Sequence, residues 1–197
     1  MSFSGRWSVT GGQWLVAGGQ WPTHAGQSAA ARRLLADLLG GAVAVEHDPQ
    51  GAPYLPDCPD RYVSLSHCRT AVAAAVSEEG PVGIDVESRR KVSLSLMQRV
   101  CTPEEFDSVQ RSDDPTMAFL RLWTRKEAVL KCRGTGIKGF GSMVGALETG
   151  DVEIVDLPCG LPDTVASLAY LRGHGVTCPK ARVDLPTADT AHRVPTV

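Results

Sequence analysis

The sequence predicts an α+β protein of two similar halves related by a pseudo-twofold, each an antiparallel sheet packed with a long helix. Three observations predict it. Short apolar runs sit between turn residues at 62–65, 71–76 and 82–87, the last with period-two alternation. Two stretches, 28–39 and 115–133, carry helix caps and helical spacing of apolar residues. The order strand, helix, strands, then helices and strands again recurs along the 197 residues. We place the division at residue 88, giving an N-terminal half (1–88) and a C-terminal half (89–197). No Gly/Ser-rich linker separates them, so the halves are expected to pack as one unit and to act as a monomer.

In chain order, residues 13–17 read as a short strand between Gly-Gly turns. SAAARRLLADLL (28–39) reads as a helix, with Ser28 at the N-cap and Gly40-Gly41 as the stop. A strand at 42–46 precedes the Pro/Gly-rich loop DPQGAPYLPDCPD. Strands at 62–65, 71–76 and 82–87 then complete an antiparallel block. Thr102-Pro103-Glu104-Glu105 is a capping box with proline at the first helical position. Asp113-Asp114-Pro115 opens a longer helix that ends at Gly134. Strands are expected at 142–147, 152–157 and 165–171, followed by a loosely ordered tail after residue 172.

Composition narrows the function. A net charge of −2 argues against bulk binding to nucleic acid or to an anionic membrane surface, so any anionic ligand needs a local cluster of cations. Six cysteines are scattered without a C-x-x-C pair, which reads as reduced thiols with no zinc spacing. The first residues lack the apolar core of a signal peptide, and no stretch approaches the ~20 apolar residues of a membrane span. The expectation is a cytoplasmic, soluble protein.

Three segments carry chemistry. In Val82-Gly83-Ile84-Asp85-Val86-Glu87, strand alternation turns the aliphatic residues to the core and places Asp85 and Glu87 on the other face. Two carboxylates about 7 Å apart on one face suit a hard divalent cation, or they form a solvated strand face. In the long helix, Phe119, Trp123 and Leu130 line one arc, and Lys126 and Glu127 flank it. Arg121, Thr124 and Arg125 take the polar face. Lys131 lies one turn beyond Glu127, so Lys126, Glu127 and Lys131 border one cavity or make an ordinary surface pair. Ser66 and His67 close a strand before a turn and offer a hydroxyl and an imidazole to a phosphate, or serve that turn. The other four histidines carry no further signal.

Taken together, GAPYLPD (51–57), SLSHC (64–68), VGIDVE (82–87) and WTRKEAVLKCRGTG (123–136) resemble the 4′-phosphopantetheinyl transferases of the Sfp type. The likeness spans residues 28–147, with Trp123, Lys126, Glu127, Lys131, Gly134 and Gly136 matching the last motif position by position. It implies transfer of the 4′-phosphopantetheine arm of coenzyme A to a serine of an acyl or peptidyl carrier protein, with release of 3′,5′-ADP. It implies Mg²⁺ held by Asp85, Glu87 and Glu127, with Glu127 as general base. Lys131 would stabilise the leaving group and join Lys126 in neutralising the phosphates. Arg32, Gly51, Ala52, Ser66, His67 and Asp85 would border the coenzyme. The family's lysine at residue 52 is alanine here, so Arg32, Arg33 or Arg69 is expected to compensate. The basic turn Arg89-Arg90-Lys91 is a candidate docking feature for an acidic carrier, or a solvated charge cluster. A metal-dependent phosphohydrolase and a carrier-binding pseudoenzyme are the other classes considered.

Overall fold

The computed structural model describes residues 7–9, 12–135, 140–148 and 150–171. Two antiparallel sheets and a set of helices form an α+β fold. Sheet A holds β1 (Trp7–Val9), β2 (Gly12–Gly18), β3 (Glu46–His47), β4 (Pro53–Tyr54), β5 (Tyr62–His67) and β6 (Ala71–Ser77), in the order β1-β2-β6-β5-β4-β3. Sheet B holds β7 (Val82–Ser88), β8 (Val152–Leu157) and β9 (Thr164–Leu171), in the order β7-β9-β8.

Period-two alternation explains the layering. In β2, Trp14 and Val16 face sheet B, while Leu15 and Ala17 face helix α1 (His24–Leu39). In β6, Ala71, Ala73 and Ala75 face sheet B, and Val72, Ala74 and Val76 face α1. Strand β6 is thus buried on both sides, and its run AVAAAV is apolar throughout as such a strand requires. Beyond sheet B lies α4 (Pro115–Cys132). Its other side packs on α2 (Leu94–Val100) and α3 (Pro103–Gln110) around Phe119, Leu120 and Leu130.

Local chemistry sets the helix ends. Thr23 Oγ1 accepts the Gly26 amide, so α1 begins a turn before Ser28, and Gly40 closes it at φ 76°. Ser28 is an interior residue, which corrects the cap assignment. The Thr102–Glu105 capping box forms as expected, and Asp114 caps α4 with Pro115 at its first position. Helix α2, capped by Ser93, is not visible in the sequence because only Met97 and Val100 mark its buried face.

Three strand expectations are corrected. Residues 42–45 are irregular, and only Glu46–His47 pairs with β4. Residues 142–147 follow a 3₁₀ turn as further turns: Met143 and Ala146 are buried three residues apart, a spacing that suits a tight turn and not a strand. Strand β7 does not extend the N-terminal block but pairs antiparallel with β9, matching Val82 with Tyr170 and Glu87 with Val165. The sheets meet along β7, whose edge amides at Ile84 and Val86 donate to Ser64 Oγ (3.0 Å) and Ser66 Oγ (3.3 Å). Side-chain hydroxyls therefore satisfy donors that would otherwise be buried without a partner.

Gly83 fixes how closely α4 approaches. A Cβ there would lie 2.0 Å from the Ala128 carbonyl oxygen and 2.5 Å from the Cys132 amide nitrogen, both helix backbone. Gly83→Ala is expected to cost roughly 3 kcal/mol by prising α4 from the sheet, read as a lower urea midpoint. The five described cysteines are free thiols, and Cys178, Gly136 and the tail lie outside the described residues. No helix among the described residues is long and apolar enough to cross a membrane.

Candidate active site

The close contact at Gly83 carries Asp85 and Glu87, two and four residues on along the same strand face, past α4 at Glu127 and Lys131. Asp85 is buried, and its Oδ1 accepts from Lys131 Nζ (2.7 Å) and Ser66 Oγ (2.7 Å). Lys131 Nζ also donates to the Ile84 carbonyl at 3.1 Å. Glu127 is 7% exposed, and its carboxyl is pushed up to about 7 by burial, then by the Asp85 and Glu87 charges, against a partial offset from Lys131. Glu87 is also raised, chiefly by burial, although Arg90 opposes the shift. Both Glu87 oxygens accept from Arg90: Nη2 at 3.0 Å and Nε at 3.2 Å.

Two acceptors in this cluster stand out. Asp85 Oδ2 and Glu127 Oε1 are buried with no hydrogen-bond partner. A buried carboxylate oxygen without a donor is costly, and here two occur on residues close enough for the Asp85 charge to raise the proton affinity of Glu127. An all-oxygen, anionic donor set with open positions fits a hard divalent cation. Asp85 and Glu127 present those positions as they stand, whereas Glu87 is engaged by Arg90. Accordingly, no group of three or more acidic, histidine or cysteine residues forms a ready metal cage among the described residues.

Other expected residues fall elsewhere. Lys126 is fully buried, and its Nζ donates to the Val100 carbonyl (2.8 Å) and Glu105 (2.5 Å). Glu105 in turn closes the α3 capping box. Lys126 therefore ties α4 to α2 and α3, and the expected cavity shared with Lys131 does not form. Replacing it with methionine should cost about 2–4 kcal/mol, because the Glu105 charge and Val100 carbonyl lose their donor. Urea denaturation of Lys126→Met beside wild type would check the loss. Thr124, expected on the polar face, is fully buried and bonds Ser167 Oγ at 2.9 Å.

Ser66 spends its hydroxyl within the protein, holding Asp85 and the Val86 amide. His67 is half-buried, its ring 4.7 Å from that of His24 in an edge-on contact. Burial, His24 and Lys131 all lower its proton affinity. His24, which carried no signal in the sequence, thus joins the site because the start of α1 meets the end of β5. Gly51 (φ 89°) and Ala52 form the turn between β3 and β4, where Asp48 Oδ1 accepts the Ala52 amide at 2.8 Å. Arg32 is exposed on α1, and Arg33 lines a groove of about 830 Å³ beneath that helix. Arg69 lines a second groove, of about 690 Å³, with Thr70, Ser88 and Arg89. The basic turn is largely committed within the protein: Arg89 pairs with Asp114 and Asp163, and Arg90 with Glu87.

Comparison with known proteins agrees with this geometry. Residues 81–177 match the sequence model of the 4′-phosphopantetheinyl transferase superfamily. The matched stretch contains β7, α4 and the carboxylate–lysine cluster. The chain is 33% identical over 89 residues to the 4′-phosphopantetheinyl transferase Sfp of Bacillus subtilis, covering 44% of this chain and 39% of that protein. It is 31% identical over 113 residues to a second 4′-phosphopantetheinyl transferase of Bacillus subtilis, covering 56% and 49%. It is 33% identical over 131 residues to the 4′-phosphopantetheinyl transferase HetI of a Nostoc species, covering 58% and 54%. The chain spans about half the length of the curated relatives it matches.

Proposed function

We propose that this protein transfers the 4′-phosphopantetheine arm of coenzyme A to a serine hydroxyl of an apo acyl or peptidyl carrier protein, with Mg²⁺, releasing 3′,5′-ADP. The observation that carries this reading is the pair of unpartnered buried oxygens, Asp85 Oδ2 and Glu127 Oε1, beside Lys131. The match of residues 81–177 to the superfamily model and the names of the relatives support the same chemistry.

Each role follows from the local environment. Glu127, held near neutrality, is suited to take the proton of the attacking serine, since a base works best with its pKa near the working pH. Lys131 is fixed by Asp85 and the Ile84 carbonyl, so its charge stands ready for the phosphate oxygens without reorganisation. Asp85, Glu87 and Glu127 would hold Mg²⁺. The ion supplies charge stabilisation to the pyrophosphate oxygens when bound. His67, with its charged form disfavoured, would meet the coenzyme as a neutral hydrogen-bonding group.

Incubation with an apo carrier protein, coenzyme A and Mg²⁺ should raise the carrier's intact mass by one phosphopantetheine arm, and EDTA should prevent it. Loss of coenzyme A with no modified carrier would instead indicate hydrolysis. An unmodified carrier across fatty-acid, polyketide and nonribosomal-peptide types would sink the proposal.

A further inference from the structure

Arg90 has a place in the site that the proposed reaction does not use. Its guanidinium engages both Glu87 oxygens in a two-pronged contact, and its Cζ lies 5.7 Å from the centre of the Trp123 ring. Trp123 stands one helical turn before Glu127 on α4, so the arginine bridges β7 to the catalytic helix. Asp85 also contributes to the field at Arg90.

We infer that Arg90 is an exchangeable counter-ion for Glu87: it occupies the carboxylate in the metal-free protein and must leave before Glu87 can bind a divalent cation. The inference rests on the proposed Mg²⁺ site. Two features support it. A two-pronged arginine–carboxylate contact uses the oxygens that a cation would need. The Arg90 side chain is 39% exposed, so it can swing out at little cost, unlike Lys126, which is sealed in. The guanidinium already lies against the Trp123 ring while it pairs with Glu87, so its departure changes the surroundings of that ring. The device keeps a half-buried Glu87 neutralised when no metal is present and makes metal loading a competition between two cations.

Removing Arg90 should therefore tighten Mg²⁺ binding, because the competitor and its repulsion of the ion vanish together. Titrating Mg²⁺ alone into the full-length protein by calorimetry, without coenzyme A, reads this directly. Arg90→Ala should bind about tenfold more tightly than wild type, and Arg90→Lys should fall between them, keeping the charge without the fork. Tryptophan fluorescence gives an independent readout. Mg²⁺ should change the wild-type emission, and Arg90→Ala or Trp123→Phe should abolish that change. Unchanged or weaker Mg²⁺ binding by Arg90→Ala would overturn the inference while leaving the metal site in place. So would a Glu87→Gln variant that binds Mg²⁺ like wild type. Absence of Mg²⁺ binding by every variant, with a carrier still modified under EDTA, would remove the Mg²⁺ part of the proposed function as well.

Discussion

Glu127→Gln is expected to lower transfer by about 10²–10⁴-fold while making the metal-free protein more stable at pH 8. The folded protein holds the Glu127 proton up to about pH 7, whereas the unfolded chain loses it near the ordinary value of 4.5. Between these values the folded state binds more protons, so stability is fully present below 4.5 and declines as pH rises through 7. The displacement corresponds to roughly 3 kcal/mol at 1.36 kcal/mol per unit. Glutamine removes that loss but brings an amide with no donor or acceptor ready for it, so the net gain at pH 8 should be about 1–2 kcal/mol. Urea denaturation at pH 5.5 and pH 8 in EDTA would check the sign. A variant that keeps the wild-type pH dependence of stability would show that Glu127 is not the titrating group. Unimpaired transfer would remove its role as base.

Lys131→Met should shift stability the other way. The substitution leaves Asp85 and Glu127 as neighbouring buried carboxylates without their cation, and Asp85 Oδ1 keeps only the Ser66 hydroxyl. Breaking a buried pair typically costs 3–5 kcal/mol, and partial exposure of Lys131 reduces this to about 2–3 kcal/mol. The loss should be largest above pH 7, where Glu127 ionises. Pairing the change with Asp85→Asn should restore part of the stability, since the remaining charge imbalance shrinks. Transfer should fall by at least about 10²-fold, as the phosphates lose a fixed positive charge. Additive destabilisation in the double variant would show that Lys131 and Asp85 do not act as a pair.

These opposite signs come from one small cluster, and the sequence disclosed its members unevenly. Asp85 and Glu87 were legible because strand alternation is a local rule, and β7 obeys it: Val82, Ile84 and Val86 enter the core between the sheets. Glu127 was legible as a charge beside an apolar arc, and its burial agrees. Lys126 showed the same pattern, yet it has the opposite fate. It lies one residue, and so about 100° of helix rotation, from Glu127, which is enough to turn it from the β7 side to α2 and α3. Periodicity on a single helix cannot reveal that both of its faces are covered, as the buried Thr124 also shows.

Turns and partners were harder to read than elements. Ser28 satisfied the composition rule for a cap, but Thr23 was available one turn earlier with its hydroxyl on the Gly26 amide. Ser64 looked like an unremarkable strand residue, because its partner, the Ile84 amide, is 20 positions away. His24 and Arg90 gave little signal for the same reason: one meets His67 through the docking of α1, the other Glu87 and Trp123 through the turn after β7.

By itself the sequence determined the α+β class, the three strands read at 62–65, 71–76 and 82–87, the capped helices α3 and α4, and the facing of Asp85 with Glu87. These follow from side-chain periodicity and from capping within a few residues. Tertiary structure alone decided that β7 leaves the N-terminal strands to pair with β9, that Gly83 admits the α4 backbone, and that Lys131 and not Lys126 reaches Asp85. Those outcomes depend on contacts between segments 20 to 88 residues apart. Over such separations burial and charge pairing set the arrangement, and no local pattern encodes it.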